Sequence, residues 1–366
     1  MAKPKLLTAT LAALVALTLA GLAGCARKPT QGDPAPLPTA QRVDAGTYEL
    51  NTLPGQILLH GGNALFTASG SPSVGSQRIY RLDLQTSQVQ EVVASRFYPD
   101  GVLDSYRLGL AGGRLIYLEI STGSSGPSWT LAGHSLADGT ATVIDQATGD
   151  RVSWPGPDVA ANGDWVVWVR KEGTEAQPRS VIRARNLVTG EDKRLGDALD
   201  ASREAWAWPN LQGNLLVVER DHMGEHGALS DVYLIDLVSG AVTPLSESGQ
   251  ASEPCLDGRY VAWKAAPRFG QGPLALYDLQ TRELRTLDVM VEYPHSSEGQ
   301  VLAWSEGKGL VRVDAASGEY AILVQAESAS GFRPAPEVSL DGRRIAWLEW
   351  SAQGGSQPQA RLHVQG

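Results

Sequence analysis

Two short runs of residues in this chain have the types and spacing that could carry out hydrolysis. The first, His222-Met223-Gly224-Glu225-His226, has the H-x-x-E-H spacing of a zinc-dependent hydrolase. That chemistry needs both imidazoles one turn apart on a rigid helix, with a further carboxylate ligand downstream. Here Gly224 lies inside the run and Gly227 follows it, which indicates a surface loop between two strands. We therefore expect no metal centre, with opportunistic metal binding by these side chains as the alternative.

The second run is Gly133-His134-Ser135-Leu136-Ala137, which resembles the G-x-S-x-G turn that presents a nucleophilic serine, with alanine at the last position. Such a turn needs a strand-to-helix junction at the top of a parallel sheet. Alignment of the internal repeat described next places residues 134–136 at the end of a strand, so we interpret this run as structural. The sequence thus predicts no catalytic residue and no cofactor.

The elements that position these runs follow from an internal repeat. A glycine followed five residues later by an aromatic residue recurs along the chain, and valine replaces the ring once. The pairs are Gly61/Phe66, Gly112/Tyr117, Gly163/Trp168, Gly213/Val218, Gly258/Trp263, Gly299/Trp304 and Gly342/Trp347. Successive second positions are 41 to 51 residues apart. A period of this length built from strand-like segments is typical of a β-propeller.

The segments within one repeat differ in their apolar pattern. The strand after each glycine is apolar at nearly every residue, as in Trp165-Val166-Val167-Trp168, which indicates that both of its faces are covered. The last strand alternates or is charged, as in Glu283-Leu284-Arg285, which suits a solvent-facing edge. We therefore predict an all-β fold in which four-stranded blades stack on one another.

The two ends of the repeat array indicate how the ring closes. After Trp347 the chain has only one more strand, residues 360–364, so the last blade lacks an outer strand. A spare strand, residues 47–50, precedes the first full repeat. We predict that residues 47–50 complete the last blade, which gives a seven-bladed β-propeller closed by an N-terminal strand. Six blades with one irregular end is the alternative.

Two turn-plus-strand pieces carry a resemblance to a known family. Leu256-Asp257-Gly258-Arg259-Tyr260-Val261-Ala262-Trp263 and Leu340-Asp341-Gly342-Arg343-Arg344-Ile345-Ala346-Trp347 look like TolB-like (WD-like, PD40-type) propeller repeats, and Tyr277-Asp278-Leu279 is similar to the second half of that unit. The resemblance covers about residues 47–366 and implies the propeller fold. Because proteins of many functions share this repeat, the resemblance does not imply a reaction.

The first 25 residues resemble a targeting segment. Lys3 and Lys5 precede an uncharged run that is too short to span a bilayer comfortably. The run ends in Leu22-Ala23-Gly24-Cys25, which resembles a bacterial lipoprotein cleavage box. The resemblance implies cleavage before Cys25 and acyl chains such as palmitate on that cysteine. An ordinary secretory signal with an incidental cysteine is the alternative.

These features predict three segments: a lipoprotein signal peptide (1–24), the lipidated cysteine with a proline-rich tether (25–45), and the propeller (46–366). The tether contains Pro29, Pro34, Pro36 and Pro38 among small polar residues. We expect a lipid-anchored protein of the cell membrane or outer membrane, with its propeller in the periplasm or outside the cell.

The net charge of the chain argues against some classes of binding partner. The chain has 31 Lys and Arg against 40 Asp and Glu, a formal net charge of −9. A net acidic body is a poor binder of nucleic acid and is repelled by anionic headgroups. We therefore expect no nucleic-acid partner and membrane contact through the lipid anchor only. We also expect a monomer.

We expect one face of the predicted propeller to contain residues suited to binding. In propellers, the connections from an outer strand to the next inner strand cross one face, and Trp154, Trp206 and Trp208 lie in such connections. Aromatic rings with mixed charge around one mouth of the channel suit a partner or ligand surface. Sealing of the blade ends is the alternative role. The predicted binding residues are Arg96, Tyr98, Trp154, Glu204, Trp206, Glu253, Glu292, Tyr293, His295, Phe332 and Arg333.

We predict a non-catalytic binding or scaffold module for an envelope protein, peptide or glycan. The alternative is a propeller hydrolase or lyase that acts on sugars or peptides, with Glu204, Glu253 and Glu292 near the channel. Glycosidic chemistry needs two carboxyl groups about 5–10 Å apart facing one cavity.

Overall fold

The computed structural model describes residues 37–68, 78–98, 101–103, 108–121, 126–149, 156–225, 227–267, 270–326, 332–342, 344–351 and 360–366. For residues 332–338 it describes the backbone alone. The described residues form β-strands joined by turns, and none of them forms a helix that could cross a membrane. The predicted signal peptide, Cys25 and Trp154 lie outside the described residues.

The strands fall in groups that follow the sequence repeat. The first eleven are β1 (Ala40–Asp44), β2 (Thr47–Leu50), β3 (Pro54–His60), β4 (Asn63–Ala68), β5 (Arg78–Asp83), β6 (Val89–Ala94), β7 (Val102–Leu103), β8 (Gly109–Ala111), β9 (Arg114–Ser121), β10 (Ser128–Ser135) and β11 (Ala141–Thr148). The next eight are β12 (Asp158–Asn162), β13 (Trp165–Thr174), β14 (Gln177–Asn186), β15 (Asp192–Asp200), β16 (Glu204–Gln212), β17 (Leu215–Gly224), β18 (Gly227–Asp236) and β19 (Val242–Pro244). The last ten are β20 (Ser252–Leu256), β21 (Tyr260–Lys264), β22 (Gly272–Asp278), β23 (Leu284–Ser297), β24 (Gln300–Ser305), β25 (Gly309–Asp314), β26 (Tyr320–Gln325), β27 (Phe332–Asp341), β28 (Arg344–Ser351) and β29 (Ala360–Gln365).

Antiparallel pairing divides the described strands into units that we number along the chain. Unit 1 is β3-β4-β5-β6, unit 2 contains β7 to β11, unit 3 is β12-β13-β14-β15 and unit 4 is β16-β17-β18-β19. Units 5 and 6 share the long strand β23, in the order β20-β21-β22-β23-β24-β25-β26. Unit 7 combines both ends of the propeller, in the order β27-β28-β29-β2-β1.

Apolar clusters lie between consecutive units rather than inside them, because each sheet buries both faces. Tyr117 lies in the cluster between units 1 and 2, Trp168 in that between units 2 and 3, and Trp263 in that between units 4 and 5. Leu302 and Ile345 join units 6 and 7, and Tyr48 joins unit 7 to unit 1. The units therefore pack as a ring, and the repeated aromatic residues Tyr117, Trp168 and Trp263 lie at its interfaces.

The N-terminal strand closes the last unit, and this prediction is confirmed. Strand β2 pairs antiparallel with β29 in a register that places Thr47 opposite His363 and Leu50 opposite Ala360. The Glu49 carboxylate forms an ion pair of 2.8 Å with the Arg361 guanidinium across this seam. The ring is thus fastened by pairing between its two ends.

The boundary between tether and propeller differs from the sequence-based boundary after residue 45. Residues Ala40–Asp44 form the outermost strand of unit 7 and pair with β2. Their polar composition, Ala-Gln-Arg-Val-Asp, suggested a tether, but charged residues are also typical of an edge strand. The sheet therefore begins at Ala40.

The two sides of the ring carry different connections. One side carries the connections from the last strand of each unit to the first strand of the next, with the hairpins between second and third strands. We call it the bulge face. The other side carries the turns between third and fourth strands, such as residues 236–240, and we call it the turn face.

Candidate functional site

The bulge face is named for a backbone feature that recurs in units 4, 5 and 6. In each, the first strand is interrupted by a bulge at a residue that precedes proline: Trp208-Pro209, Glu253-Pro254 and Tyr293-Pro294. The φ angles of Trp208, Glu253 and Tyr293 are 49°, 56° and 50°. A left-handed conformation is costly for a residue with a side chain, and proline restricts the preceding residue further. Backbone strain of this kind is concentrated at functional sites.

Two of these strained residues present aromatic rings to solvent. Trp208 is 37% exposed and Tyr293 is 41% exposed, although both are large apolar side chains. Their ring centroids lie 6.3 Å apart with 37° between the ring planes, so units 4 and 6 contribute to one continuous surface. We call these two rings the aromatic platform. The rings are too close together to hold a ligand between them, so a ligand would lie on top of them.

Buried charges fix the backbone beneath the platform. The Lys264 ammonium is fully buried and lies 2.7 Å from the Glu253 carboxylate, which is also buried. The other oxygen of Glu253 accepts a hydrogen bond of 2.8 Å from the Tyr293 backbone N–H. The Glu253 N–H in turn donates to the buried Glu219 carboxylate at 2.8 Å. The bulges of units 5 and 6 are thus each held by a carboxylate of the preceding unit.

A related arrangement holds the connection into unit 2. The Glu119 carboxylate is fully buried and accepts hydrogen bonds from the Ser95 hydroxyl and from the N–H groups of residues 96, 97 and 98. The Tyr98 hydroxyl lies 2.9 Å from the Thr130 hydroxyl. Above this loop is an open cavity of about 470 Å³ that Arg78, Arg96 and Tyr98 line. The predicted residues Arg96 and Tyr98 therefore lie on the bulge face, away from the aromatic platform.

The predicted residues of unit 4 separate into two environments. Trp206 is 5% exposed and packs between units 3 and 4, where its indole N–H donates to the Asp197 carbonyl at 3.0 Å. Trp206 therefore belongs to the core, and its prediction as a binding residue is corrected to a structural role. Glu204 lies at the surface and forms an ion pair of 2.6 Å with Arg220.

The remaining predicted residues lie in the first strands of units 6 and 7. Glu292 is half-buried beside Tyr293 and forms no ion pair with a described residue. His295 is partly buried, and desolvation lowers the pKa of its imidazole to about 4. The backbones of Phe332 and Arg333 lie in β27, while their side chains are outside the described atoms.

Neither hydrolase-like run forms a catalytic arrangement in the described residues. His222 lies in β17, and the run continues as a β-hairpin in which Gly224 pairs with Gly227, which is incompatible with a helical zinc site. His226 lies outside the described residues. His134 and Ser135 are buried in β10, where desolvation lowers the pKa of the imidazole. Within the described residues, no group of three His, Cys, Asp or Glu side chains could hold a metal ion.

Sequence reasoning missed the bulges and the ion pair beneath them. The sequence feature that could have indicated the bulges is an aromatic or charged residue before proline at similar positions in three repeats. The sequence treated Glu253 as a candidate binding or catalytic carboxylate, but its oxygens already contact Lys264 and the Tyr293 N–H.

The comparisons with known proteins identify the fold. No family model matches the chain, and no curated protein matches it. An oligogalacturonate lyase from Vibrio parahaemolyticus is 12% identical, with a TM-score of 0.56, over 90% of this chain and 98% of that one. The Pyrococcus horikoshii acylaminoacyl peptidase is 13% identical, with a TM-score of 0.61, over 86% of this chain and 51% of that one. The β-propeller domain of the Trilobed protease from Pyrococcus furiosus is 11% identical, with a TM-score of 0.57, over 91% and 96% of the two chains.

At these identities the likeness shows the fold alone. The prediction of an all-β propeller is confirmed, by the strand arrangement and by these similar structures.

Proposed function

We propose that this chain is a lipid-anchored propeller of the cell envelope that binds a protein, peptide or glycan on its bulge face without catalysing a reaction. The observation that carries the proposal is the aromatic platform. Trp208 and Tyr293 are exposed and adjacent, and both have left-handed backbone conformations. The buried Glu253 carboxylate holds the backbone N–H of Tyr293. Tryptophan and tyrosine are the residue types that most often dominate binding energy at interfaces.

The fixed backbone supports a binding role because it lowers the entropic cost of association. A ring that is already held in position loses little freedom when a partner contacts it. The buried Glu253–Lys264 pair and the Glu219 carboxylate supply that rigidity beneath Tyr293. Strain that the surroundings maintain at an exposed site is the pattern expected of a functional surface.

The lipid anchor rests on the sequence of residues 1–25. The run Leu22-Ala23-Gly24-Cys25 after a short uncharged segment supports acylation of Cys25 and attachment to the cell membrane or outer membrane. Replacement of Cys25 by serine, followed by metabolic labelling with palmitate, tests this part of the proposal. We expect the label to be lost, and retention of the label in the Cys25→Ser chain would contradict the anchor.

The binding role is tested by crosslinking in native membranes followed by mass spectrometry. The test variant replaces Trp208 and Tyr293 by alanine, and its control replaces Val188 and Val238, both exposed on the turn face, by alanine. We expect a crosslinked partner that the control retains. Once that partner is purified, loss of two interface anchors should weaken its binding at least about 30-fold. Equal crosslinking and equal affinity in both variants would contradict the proposal.

The alternative function is a hydrolase or lyase for sugars or peptides. One observation favours it: Glu292 is the predicted carboxylate that has no ion pair with a described residue, and it lies next to the platform. Glu204 and Glu253 are each engaged by a cation. Turnover of oligosaccharides or peptides that is lost in Glu292→Gln would establish this alternative. Binding that survives Glu292→Gln without any turnover would support the non-catalytic role.

A further inference from the structure

The chain enters the propeller on the bulge face. Strand β1 runs antiparallel to β2 with Ala40 opposite Leu50, and Leu50 leads directly into the connection to unit 1. Thr39 is fixed at this connection, because its N–H donates to the Asn51 side chain at 2.7 Å and its carbonyl accepts from the Asn51 N–H at 3.3 Å. The segment that precedes Thr39 therefore leaves the ring from the same side as the aromatic platform.

The length of that segment limits how far the bulge face can be from the anchor. Thirteen residues lie between Cys25 and Thr39, so fourteen residue-to-residue steps join them. At about 3.1 Å per residue for a proline-rich chain, they reach at most about 43 Å. A propeller anchored through Cys25 thus has the connection at Thr39, on its bulge face, within about this distance of the membrane.

Among the residues that the structure describes, the exposed apolar side chains differ in type between the bulge face and the rest of the surface. Those on the bulge face are Leu37, Leu53, Trp208, Met223, Met290, Tyr293 and Trp350. Those elsewhere are Val43, Val143, Val188, Val238, Val242, Leu284, Tyr320 and Ile322. Trp, Tyr and Met are the types enriched at protein interfaces, whereas scattered exposed aliphatic residues are ordinary surface. The bulge face therefore has the composition of an interface, and it is the side from which the tether leaves.

We infer that the bulge face points toward the membrane that holds the anchor, and that its occupant is the extramembrane part of a membrane-bound protein. The inference rests on the proposed lipid anchor. A protein is favoured over the lipid surface because the chain carries an excess of acidic residues, which anionic headgroups repel. Glu292 adds a carboxylate beside the platform that forms no ion pair within the described part of the chain, which favours a partner segment that carries Lys or Arg.

Unit 4 provides a matched pair of positions that measures this orientation. Met223 is 56% exposed in the hairpin at the bulge face, and Val238 is 66% exposed in the turn at the opposite end of the same sheet. Strand β18 separates them by about 30 Å. Cys255 does not interfere with labelling, since it is buried and burial raises the pKa of its thiol to about 12.

The experiment places a fluorescent donor at Met223→Cys or Val238→Cys in the full lipidated chain, reconstituted into vesicles with acceptor-labelled headgroups. We expect energy transfer from position 223 to be at least twofold higher than from position 238. Equal transfer, or higher transfer from position 238, would overturn the orientation. A chain that does not remain with the vesicles would instead show that the lipid anchor itself is wrong.

The kind of occupant is tested with the same two positions. In vesicles of brominated phosphatidylcholine without other proteins, we expect no quenching of the label at position 223, and strong quenching would identify the lipid surface as the occupant. In native membranes, a photocrosslinker at position 223 should capture an integral or lipidated protein that carries a basic segment, and one at position 238 should not. Capture of a soluble protein at position 223 would overturn the inference while leaving the proposed binding role intact.

Discussion

The two faces of the propeller are built on different principles. On the turn face, one local structure recurs: the Asp236 carboxylate accepts hydrogen bonds from the N–H groups of Val238 and Ser239. The same side-chain turn recurs at Asp83, Asn186, Asp278 and Asp314. These hydrogen bonds lower the pKa of the carboxyl groups of Asp83, Asp236 and Asp314.

On the bulge face, by contrast, the side chains differ from unit to unit although a backbone position recurs. Its connections place Trp208, Glu253 and Tyr293 at one shared backbone position, and buried carboxylates rather than local turns hold Glu253 and Tyr293. On the turn face, the Asp or Asn side chains are required for the local turn. On the bulge face, buried carboxylates support the backbone at Glu253 and Tyr293, so the residue types at the recurring bulge position can differ. This difference indicates that the turn face maintains the fold and that the bulge face can acquire a binding function.

The largest expected loss of unfolding free energy follows from disruption of the buried Lys264–Glu253 ion pair beneath the bulge face. Lys264→Met leaves the Glu253 carboxylate buried without its cation, and loss of one partner of a buried pair costs about 3–5 kcal/mol of unfolding free energy. Urea denaturation measures this loss. The added change Glu253→Gln should restore part of the stability, because no buried charge then remains at that pair.

The matched control is Lys308→Met, which removes an ammonium that contacts the Tyr320 hydroxyl in an exposed hydrogen bond. Its cost should be about 1 kcal/mol or less. If Lys264→Met and Lys308→Met were equally stable, the bulge face would not depend on buried charge.

A second expected loss of folding stability also arises from an ionisable group removed from water, and it depends on pH. The folded protein keeps His295 neutral down to a pKa of about 4, while the unfolded chain binds a proton near pH 6.5. As pH falls from about 6.5 to about 4, the unfolded state takes up the proton first, so folding stability decreases by up to about 3 kcal/mol. Stability above pH 6.5 is unaffected by this group.

The test compares the unfolding free energy of the protein and of His295→Gln between pH 4 and pH 7. We expect the variant to lose less stability than the parent as pH falls, with most of the difference between pH 6.5 and 4. His60→Gln, at an exposed position, serves as the control. Parallel pH profiles for the parent and His295→Gln would show that the inner strand does not exclude the charged imidazole.

The sequence predicted the parts of the molecule that repeat. Trp168 and Trp263 occupy equivalent strand positions, so their period identified the propeller and their burial between units. The closing strand followed from counting: the last unit lacked one strand, and residues 47–50 supplied it. Both inferences depend on regular structure, in which spacing along the chain determines position in space.

The site was less predictable because a bulge breaks that regularity. Trp206 and Trp208 are two residues apart, so in a regular strand they would face the same side. The bulge at Trp208-Pro209 reverses this, and Trp206 is buried while Trp208 is exposed. Likewise, nothing in the sequence pairs Lys264 with Glu253, because that contact depends on the folded path of unit 5.

A smaller effect is expected on the turn face. Asp236→Ala removes the acceptor of the Val238 and Ser239 N–H groups in an exposed turn, which we expect to cost about 1.5 kcal/mol by analogy with the loss of a helix cap. Binding of a partner at the bulge face should be unchanged. Thermal unfolding and partner titration measure the two quantities, and a loss of binding in Asp236→Ala would contradict the separation of roles between the faces.

The smallest expected effect isolates the backbone strain at the platform. Trp208→Ala and Trp208→Gly both remove the indole, so their difference reports the backbone conformation alone. At a φ of 49° the glycine variant should be more stable than the alanine variant by about 1 kcal/mol, since glycine adopts left-handed conformations without steric cost. At Ile322, an exposed position in β26 where no left-handed φ occurs, the order should reverse by a similar amount. If alanine were also the more stable residue at position 208, the bulge at Trp208 would not be strained, and the indole would owe its position to side-chain packing rather than to a strained backbone.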